Sequence, residues 1–194
     1  MSQRIPAARE GTDPELDELL RALRERGVHV SNLAMLLGRR PTLMKAMNGY
    51  STALASATTV DPLLRELAIL RTAVLTACPY AWTHHAPKAV AAGLDVGALA
   101  ALGVDADRST LTSLQAAVLD TTDLVDAARP LTDGAYDELR GHLTEEEVLE
   151  LVMVATFYGA LSRLVANFSV PIDEDRAAWL DHWPAAHGGR GATG

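Results

Sequence analysis

The sequence predicts an all-α protein, and three observations support this fold class. Apolar residues recur at three- and four-residue intervals through most of the chain, as they do on the buried face of a helix. No segment alternates apolar and polar residues over several positions, and the β-branched and aromatic residues are not gathered into short runs between turns. With 194 residues, of which 48% are hydrophobic, the chain can also bury a substantial core.

Capping residues and prolines predict where each helix begins. Aspartate, serine or threonine precedes most helical patterns, and proline often follows at the first helical position, where its missing N–H costs nothing. Thr144 and Glu147 have the spacing of a capping box, and Gly27, Gly49 and Gly93 are expected to end three helices. In chain order, the predicted helices run from Pro14 to about Arg26, Asn32 to Leu37, Pro41 to about Asn48, Pro62 through Glu66 and beyond, Pro79 to Gly93, Asp95 to Leu102, Thr110 to Val125, Thr132 to Leu143, and Glu145 to about Asn167.

The chain is expected to contain one domain. Residues 1–12 are predicted to form a flexible N-terminus, residues 13–176 a single all-helical domain, and residues 177–194 a C-terminal tail. Trp179 and Trp183 in the tail need an apolar surface to cover. The last seven residues have no side chain that could hold them against the domain, so we expect them to be disordered.

A weak internal repeat of a helix pair is also predicted. Setting residues 65–95 against residues 143–173 without a gap places Tyr80 opposite Tyr158 and several apolar residues opposite one another. In this register only the first copy carries the reactive side chains.

Charge and hydropathy exclude several classes of protein. The net charge is −8, and no basic run exceeds the Arg39–Arg40 pair, so a nucleic-acid partner is not expected. The first twenty residues carry charges throughout and lack the apolar core of a signal peptide. The longest uncharged apolar stretch, Leu151 to Leu161, is too short to span a bilayer. We therefore expect a cytoplasmic protein that binds no membrane.

One segment concentrates groups that can transfer protons. Glu66 lies in an apolar helical pattern, and Cys78, the only cysteine, follows twelve residues later. Pro79 suits the first position of a new helix, which places Cys78 at its N-cap and His85 about two turns along. A folded pair of helices can bring Glu66, Cys78 and His85 around one cleft. The helix N–H groups and dipole would lower the pKa of a thiol at the N-cap below its usual value of about 8.5.

These residues resemble the carboxymuconolactone decarboxylase and alkyl hydroperoxidase D-like superfamily, in a single-cysteine branch. The family pattern is a glutamate in an R-E-L phrase, a cysteine twelve residues later, a second cysteine three further and a histidine four beyond that. Residues 65–67, Cys78 and His85 match it, whereas Ala81 stands at the second cysteine. The resemblance implies a helical bundle of the alkyl hydroperoxidase D-like type, assembled as a homotrimer or hexamer, and a proton relay that includes Glu66.

Four further side chains are candidates for contacting a small-molecule substrate. His84 adjoins His85 but points about 100° away on the helix. Tyr80 and Trp82 precede it on the same helix, and each could instead be a packing residue. Arg71 could hold a carboxylate or form a structural ion pair. No zinc-site spacing is present, so we expect neither metal nor cofactor.

The expected function is an enzyme that performs general acid/base chemistry on a small carbonyl or lactone metabolite: decarboxylation, isomerisation or elimination. In this interpretation His85 is the proton shuttle, Glu66 orients it, and Cys78 is a further polar group of the pocket. Two alternatives remain open at this point. One is a thiol-dependent peroxidase in which Cys78 attacks peroxide and an outside thiol resolves the sulfenic acid. The other is a non-catalytic assembly protein with Cys78 in its core.

Overall fold

The computed structural model of the protein describes residues 3–184, and every regular element within that range is helical. The all-α fold class predicted from the sequence is therefore confirmed. The α-helices are α1 (Pro14–Glu25), α2 (Asn32–Leu37), α3 (Pro41–Ser56), α4 (Pro62–Leu75), α5 (Pro79–Ala91), α6 (Ser113–Asp126), α7 (Asp133–Arg140) and α8 (Glu145–Phe168); Val96–Leu102 and Glu174–His182 form 3₁₀ helices.

The predicted capping residues begin these helices. The Asp13, Ser31 and Asp61 side chains each accept a hydrogen bond from a backbone N–H in the first turn of α1, α2 and α4. Thr144 and Glu147 form both hydrogen bonds of a capping box at the start of α8. Since each such cap satisfies N–H groups that the helix itself leaves unpaired, the caps fix where the helices start.

Helix α4 is the centre of the domain. Nine of its 14 residues are buried, and it packs against α5, α6 and α8. A helix that is covered on almost every side needs no polar face, which explains its continuous apolar run. Trp82, Leu119 and Leu151 from the surrounding helices are among the largest fully buried side chains of the same core.

Helix α8 is the longest element, with 24 residues. By length and composition alone it could cross a membrane. The sequence analysis considered only the uncharged stretch from Leu151 to Leu161, which is too short to do so. In the structure it packs against α4 and α6, and Leu151, Val154 and Tyr158 on that side are buried. Three glutamates occupy its first turn. Its contacts are those of a core helix in the bundle.

A tight turn joins α4 to α5 and positions the site. The Cys78 N–H donates to the Ala73 carbonyl at 2.8 Å, and the Ala77 N–H donates to the Val74 carbonyl at 3.1 Å. This pattern is a Schellman motif, which needs a left-handed residue at Ala77, where φ is 49°. The motif ends α4 and lets α5 begin after Cys78, so that α4 and α5 form a helical hairpin.

Helix α3 is longer than the sequence predicted. Gly49 was expected to end it, but the helix continues to Ser56. A glycine inside a helix costs only about 1 kcal/mol relative to alanine, so packing can outweigh it. Here Leu54 is buried, and the Tyr50 ring packs edge-on against Phe157 of α8 at a centroid distance of 5.0 Å.

The N-terminal segment contacts the domain, contrary to the expected flexible N-terminus. The Arg4 N–H donates to the Phe168 carbonyl at 3.0 Å, and the Ala8 N–H donates to the Met35 carbonyl at 2.8 Å. These bonds attach residues 3–12 to α2 and to the end of α8.

The tail also packs on the domain, so the boundary expected at residue 176 does not separate it. The Trp82 Nε1–H donates to the Trp179 carbonyl at 3.1 Å, and the Trp183 ring stands edge-on to Trp82 at 5.4 Å. The tryptophans of the tail thus cover α5 of their own chain. The last seven residues lie outside the described range.

The helix-pair repeat is not seen in the predicted register. Residues 65–95 form two helices with a turn at Ala77 and Cys78, whereas their counterparts Ala155 and Thr156 lie within the continuous helix α8. Apolar spacing is similar in any two buried helices, which explains the apparent match.

Candidate functional site

His85 and Glu66 form a hydrogen-bonded pair inside the α4–α5 hairpin. His85 Nδ1 lies 2.7 Å from Glu66 Oε2, and both residues are buried. The predicted approach of these two side chains is therefore observed. Their role in catalysis remains a prediction.

Burial determines the charge state of the pair. The pKa of His85 is lowered to about 4, mainly because burial desolvates the imidazolium and also because Lys88 is nearby; the hydrogen bond and charge of Glu66 act in the opposite direction without cancelling this effect. Burial is the largest single effect and acts to raise the pKa of Glu66, but the hydrogen bond from His85 and the nearby positive charges of Lys88 and Arg65 together outweigh it, so the pKa of Glu66 is lowered. At neutral pH the pair is thus a neutral imidazole beside a carboxylate.

This charge state fixes which histidine nitrogen carries the proton. A carboxylate can only accept hydrogen bonds, so Nδ1 of His85 must donate to Glu66. Nε2 is then left with a lone pair. The arrangement is that of a general base held in one tautomer by an acidic partner.

His85 lines a cavity of about 160 Å³. Other walls come from α5 and from the α8 residues Tyr158 and Ser162, with Tyr158 packed edge-on against the His85 ring at 4.9 Å. We call this space the His85 cavity. Its volume is close to that of a protein cavity known to hold one benzene molecule, so it suits a substrate part of about one small ring.

Ser162 brings an unsatisfied polar group to this cavity. Its side chain is 1% exposed, and its Oγ, although near the Cys78 thiol, makes no hydrogen bond of regular geometry in the described part of the chain. A buried hydroxyl without a partner is costly, so a polar atom of a bound molecule or of water is expected opposite it.

Cys78 is the N-cap of α5, as predicted, but its thiol is buried and it does not line the His85 cavity. Burial raises the pKa of the Cys78 thiol, while the nearby N–H groups of Ala81 and Tyr80 and the Ser162 hydroxyl act in the opposite direction. The expectation of a lowered thiol pKa is therefore wrong, because desolvation of the thiolate outweighs the helix N-terminus.

Asp173 connects Tyr80 and His84 in a second polar cluster beside the cavity. Its Oδ2 accepts from the Tyr80 hydroxyl at 2.8 Å and lies 2.8 Å from His84 Nε2, and its Oδ1 accepts from the Asn32 N–H at 2.8 Å. The Tyr80 and His84 rings are stacked at 4.6 Å. Both residues line the His85 cavity, and their polar atoms already have protein partners. Contact of either residue with a substrate stays a prediction.

Two predicted substrate contacts are corrected by the structure. Trp82 is fully buried in the core and packs on the tail, so it cannot reach a substrate in the His85 cavity. Arg71 is also buried; its guanidinium binds both Asp123 carboxylate oxygens, at 2.5 Å and 2.7 Å, and the carbonyls of Leu102 and Gly103. Arg71 therefore forms the structural ion pair that the sequence analysis gave as the alternative to a substrate contact.

The sequence analysis missed four side chains at the site: Lys88, Tyr158, Ser162 and Asp173. Lys88 had a local signal, because it follows His84 by four residues and therefore shares a helix face with it. The other three come from α8 and the segment after it, which no local spacing connects to α5. Within residues 3–184 no group of three or more His, Cys, Asp or Glu side chains is placed to hold a metal ion.

Comparison with known proteins finds one family in sequence and several solved structures that share the fold. Residues 41–123, which contain Glu66, Cys78 and His85, match the Carboxymuconolactone decarboxylase family. No curated protein matches the chain in sequence.

Solved structures share the fold at low sequence identity. An alkylhydroperoxidase AhpD core protein, an uncharacterized peroxidase-related protein from Ralstonia eutropha JMP134, superposes with a TM-score of 0.78 at 20% identity, over 94% of this chain and 98% of that one. The debrominase Bmp8, with a cysteine replaced by alanine and in complex with 2,3,4-tribromopyrrole, gives 0.76 at 17% identity over the same shares. An uncharacterized peroxidase-related protein from Silicibacter sp. TM1040 gives 0.76 at 16%, over 91% and 96%.

The sequence match covers the α4–α5 hairpin with its buried pair, and the helical architecture around it is that of the alkylhydroperoxidase structures. Over residues 41–123 the chain is therefore similar to the carboxymuconolactone decarboxylase family, and its helical fold is that of the alkylhydroperoxidase AhpD core structure.

Proposed function

We propose that this protein is a general acid/base enzyme that moves a proton on a small carbonyl or lactone substrate, with His85 as the base. The observation that carries the proposal is the neutral imidazole of His85, which donates from Nδ1 to Glu66 and lines a cavity of about one ring's volume. Such a group can take a proton from a carbon acid and return it to another position.

The residues of the site can account for each proton and electron pair that the proposed isomerisation moves. His85 Nε2 takes a proton from the carbon next to the substrate carbonyl, and the electron pair of the broken C–H bond moves onto the carbonyl oxygen. Glu66 stabilises the imidazolium that forms. Return of the proton to another carbon gives isomerisation. Loss of a β-substituent from the enolate gives elimination. In decarboxylation the C–C bond to the carboxylate breaks, CO₂ leaves, and the electron pair of that bond moves onto the carbonyl oxygen; the enolate is then protonated on carbon by water, which leaves hydroxide.

Two groups could stabilise the enolate oxygen. Lys88 lines the same cavity and contributes positive charge near His85. The Ser162 hydroxyl lies near the Cys78 thiol but makes no regular hydrogen bond, and it could donate to an oxyanion. Fixed donors and charges around developing negative charge are usually the largest part of enzymatic rate enhancement. Both groups lie in the cavity before any substrate arrives, as such preorganisation requires.

Thiol-dependent chemistry at Cys78 is the second candidate. The observation in its favour is that backbone N–H groups of α5 and the Ser162 hydroxyl surround the sulfur. Three observations stand against it: the thiol is buried, its pKa is raised, and Cys78 is not among the residues that line the His85 cavity. Peroxide reduction would also require an outside thiol, because Ala81 takes the place of a second cysteine. We therefore rank it below acid/base chemistry.

Proton exchange tests the proposal without knowledge of the final product. Small cyclic ketones and lactones are incubated with the protein in D₂O, and NMR follows the exchange of protons next to the carbonyl. His85→Gln should slow exchange by about a hundredfold, since one positioned base typically contributes that much. Glu66→Gln should slow it less, and Cys78→Ser should leave most of it.

The exposed His142 offers a matched control, because His142→Gln removes a histidine far in sequence from the site. It should exchange at the wild-type rate. If Cys78→Ser loses all activity while His85→Gln stays active, the protein performs thiol-dependent chemistry at Cys78 instead.

We also propose that the chain assembles with copies of itself, as a trimer or hexamer. Leu43 and Tyr50 on α3 and Leu149 on α8 are exposed apolar side chains, and the two helices are in contact. Exposed apolar surface of this kind is typical of subunit contacts. Light scattering at micromolar concentration should give at least three times the mass of one chain, and a stable monomer would contradict the proposal.

A further inference from the structure

A second, larger cavity opens beside the His85 cavity. It has a volume of about 600 Å³ and lies among α1, α2, α3 and α5. Ser31, Ser51 and Lys88 line both cavities, so the two spaces adjoin. We call the larger one the entrance cleft.

Basic side chains line the entrance cleft. Arg26 at the end of α1, Lys45 on α3 and Lys88 on α5 all belong to its wall, whereas no aspartate or glutamate does. None of the three cations has a carboxylate within 4.0 Å in residues 3–184. In a chain with a net charge of −8, three cations without ion-pair partners in one cleft mark a local positive field.

The rest of the cleft is largely apolar. Leu19 and Leu23 of α1 and Val28 after it face the same space as the cations. Ligand sites commonly combine such apolar walls with a few charged groups that fix the orientation. The chemistry of the cleft therefore matches a ligand with an apolar body and a negatively charged group.

We propose that the entrance cleft is a binding subsite for the anionic end of the substrate. The substrate is then an amphipathic organic anion, either a carboxylate or a phosphate ester. Its small reacting head enters the His85 cavity, its apolar body lies along the α1 leucines, and its charged group meets Arg26 and Lys45. The assignment of the head rests on the proposed function, whereas the binding of an anion in the cleft does not.

Part of this subsite lies outside the family match. Arg26, Val28 and Ser31 precede residue 41, where the match begins. The α4–α5 hairpin supplies the reacting groups, while the N-terminal helices supply most of the cleft. Selection of the anionic group thus depends in part on a region outside the family match.

Calorimetric titration of the full chain tests the subsite with three probes that each contain eight carbon atoms: octanoate, octyl phosphate and the neutral octanamide. At low salt, octanoate or octyl phosphate should bind at least tenfold more tightly than octanamide, and the stronger of the two identifies the preferred anion. The preference should shrink as salt is added, because salt screens exposed charges.

Variants locate the binding site. Arg26→Ala and Lys45→Ala should each weaken anion binding about threefold to fivefold, which corresponds to one exposed ion pair, and the double variant about tenfold or more. Arg129→Ala is the matched control: it removes an exposed arginine of the α6–α7 connection, and anion affinity should stay unchanged.

Equal affinity for octanoate, octyl phosphate and octanamide would overturn the proposal. So would a loss of anion affinity in Arg129→Ala as large as that in Lys45→Ala. The absence of binding of either anion at millimolar concentration would overturn it as well. His85→Gln separates the two proposals. It should slow proton exchange by about a hundredfold but keep the affinity for the anion. Failure of the proposed chemistry would therefore leave the anion subsite supported, and loss of the subsite would leave the proton exchange supported.

Discussion

The neutral state of His85 at physiological pH makes a quantitative prediction about stability. The substitution His85→Gln removes the imidazole while its amide can still donate to Glu66. We expect this change to reduce the dependence of the unfolding free energy on acid pH. The reason is that the folded protein resists protonation of His85, whereas the unfolded chain does not.

The size of the effect follows from the two pKa values. The unfolded chain protonates this imidazole near its ordinary value of 6.5, and the folded protein near 4. Between these values the unfolded state binds more protons, so stability falls as the pH is lowered; above 6.5 and below 4 this group adds no further change. At about 1.4 kcal/mol per pH unit, the total loss is about 3 kcal/mol.

Urea unfolding at fixed protein concentration, followed by tryptophan fluorescence, measures this loss. Trp82 is fully buried and reports the transition. From pH 7 to pH 4 the wild type should lose about 3 kcal/mol more stability than His85→Gln, and His142→Gln should behave as the wild type. If the two stability curves for wild type and His85→Gln run parallel over this range, His85 is not a buried neutral group and the argument for its role as a base fails.

Three further outcomes are expected. Burial raises the pKa of the Cys78 thiol, so Cys78 should react slowly with a disulfide reagent at pH 8 in the folded protein and rapidly in urea. Fast reaction in the folded protein would contradict the burial of the thiol. Asp173→Asn should lower the unfolding free energy by about 2 kcal/mol or more, since several hydrogen bonds to a charge are lost. Asp175→Asn, at an exposed position, should change the unfolding free energy little. Equilibrium unfolding measures both variants. Arg71→Met should lower the unfolding free energy by about 3 kcal/mol, because Asp123 loses its buried partner. The affinity for octanoate should not change. A selective loss of octanoate binding would show that Arg71 contacts the ligand after all.

The helix starts could be predicted from the sequence because they depend on local interactions. Asp13, Ser31 and Thr144 bond to N–H groups within three residues, so the sequence alone contains both partners. The end of α3 could not be predicted in the same way. Gly49 is a local stop signal, but the contact between Tyr50 and Phe157 is a tertiary one that local spacing does not show.

The site shows the same division. His85 and Glu66 could be paired because one short turn joins their helices and the resemblance gave their spacing. The pKa of Cys78 was predicted in the wrong direction, because the helix N-terminus is visible in the sequence and burial is not. Asp173 lies 89 residues from His84, and only the packed fold reveals that they meet.

The arrangement of the His85 cavity divides its parts between two regions of the chain. The reacting pair sits in one hairpin within residues 41–123, whereas Leu33, Leu161 and Val165 of the wall come from segments outside that range. Exchanging these wall residues for larger or smaller ones would change the shape of accepted molecules and leave the proton-transfer pair untouched. The fold is therefore a suitable starting point for redesigning substrate choice, since new preferences can be screened on the wall without rebuilding the reactive centre.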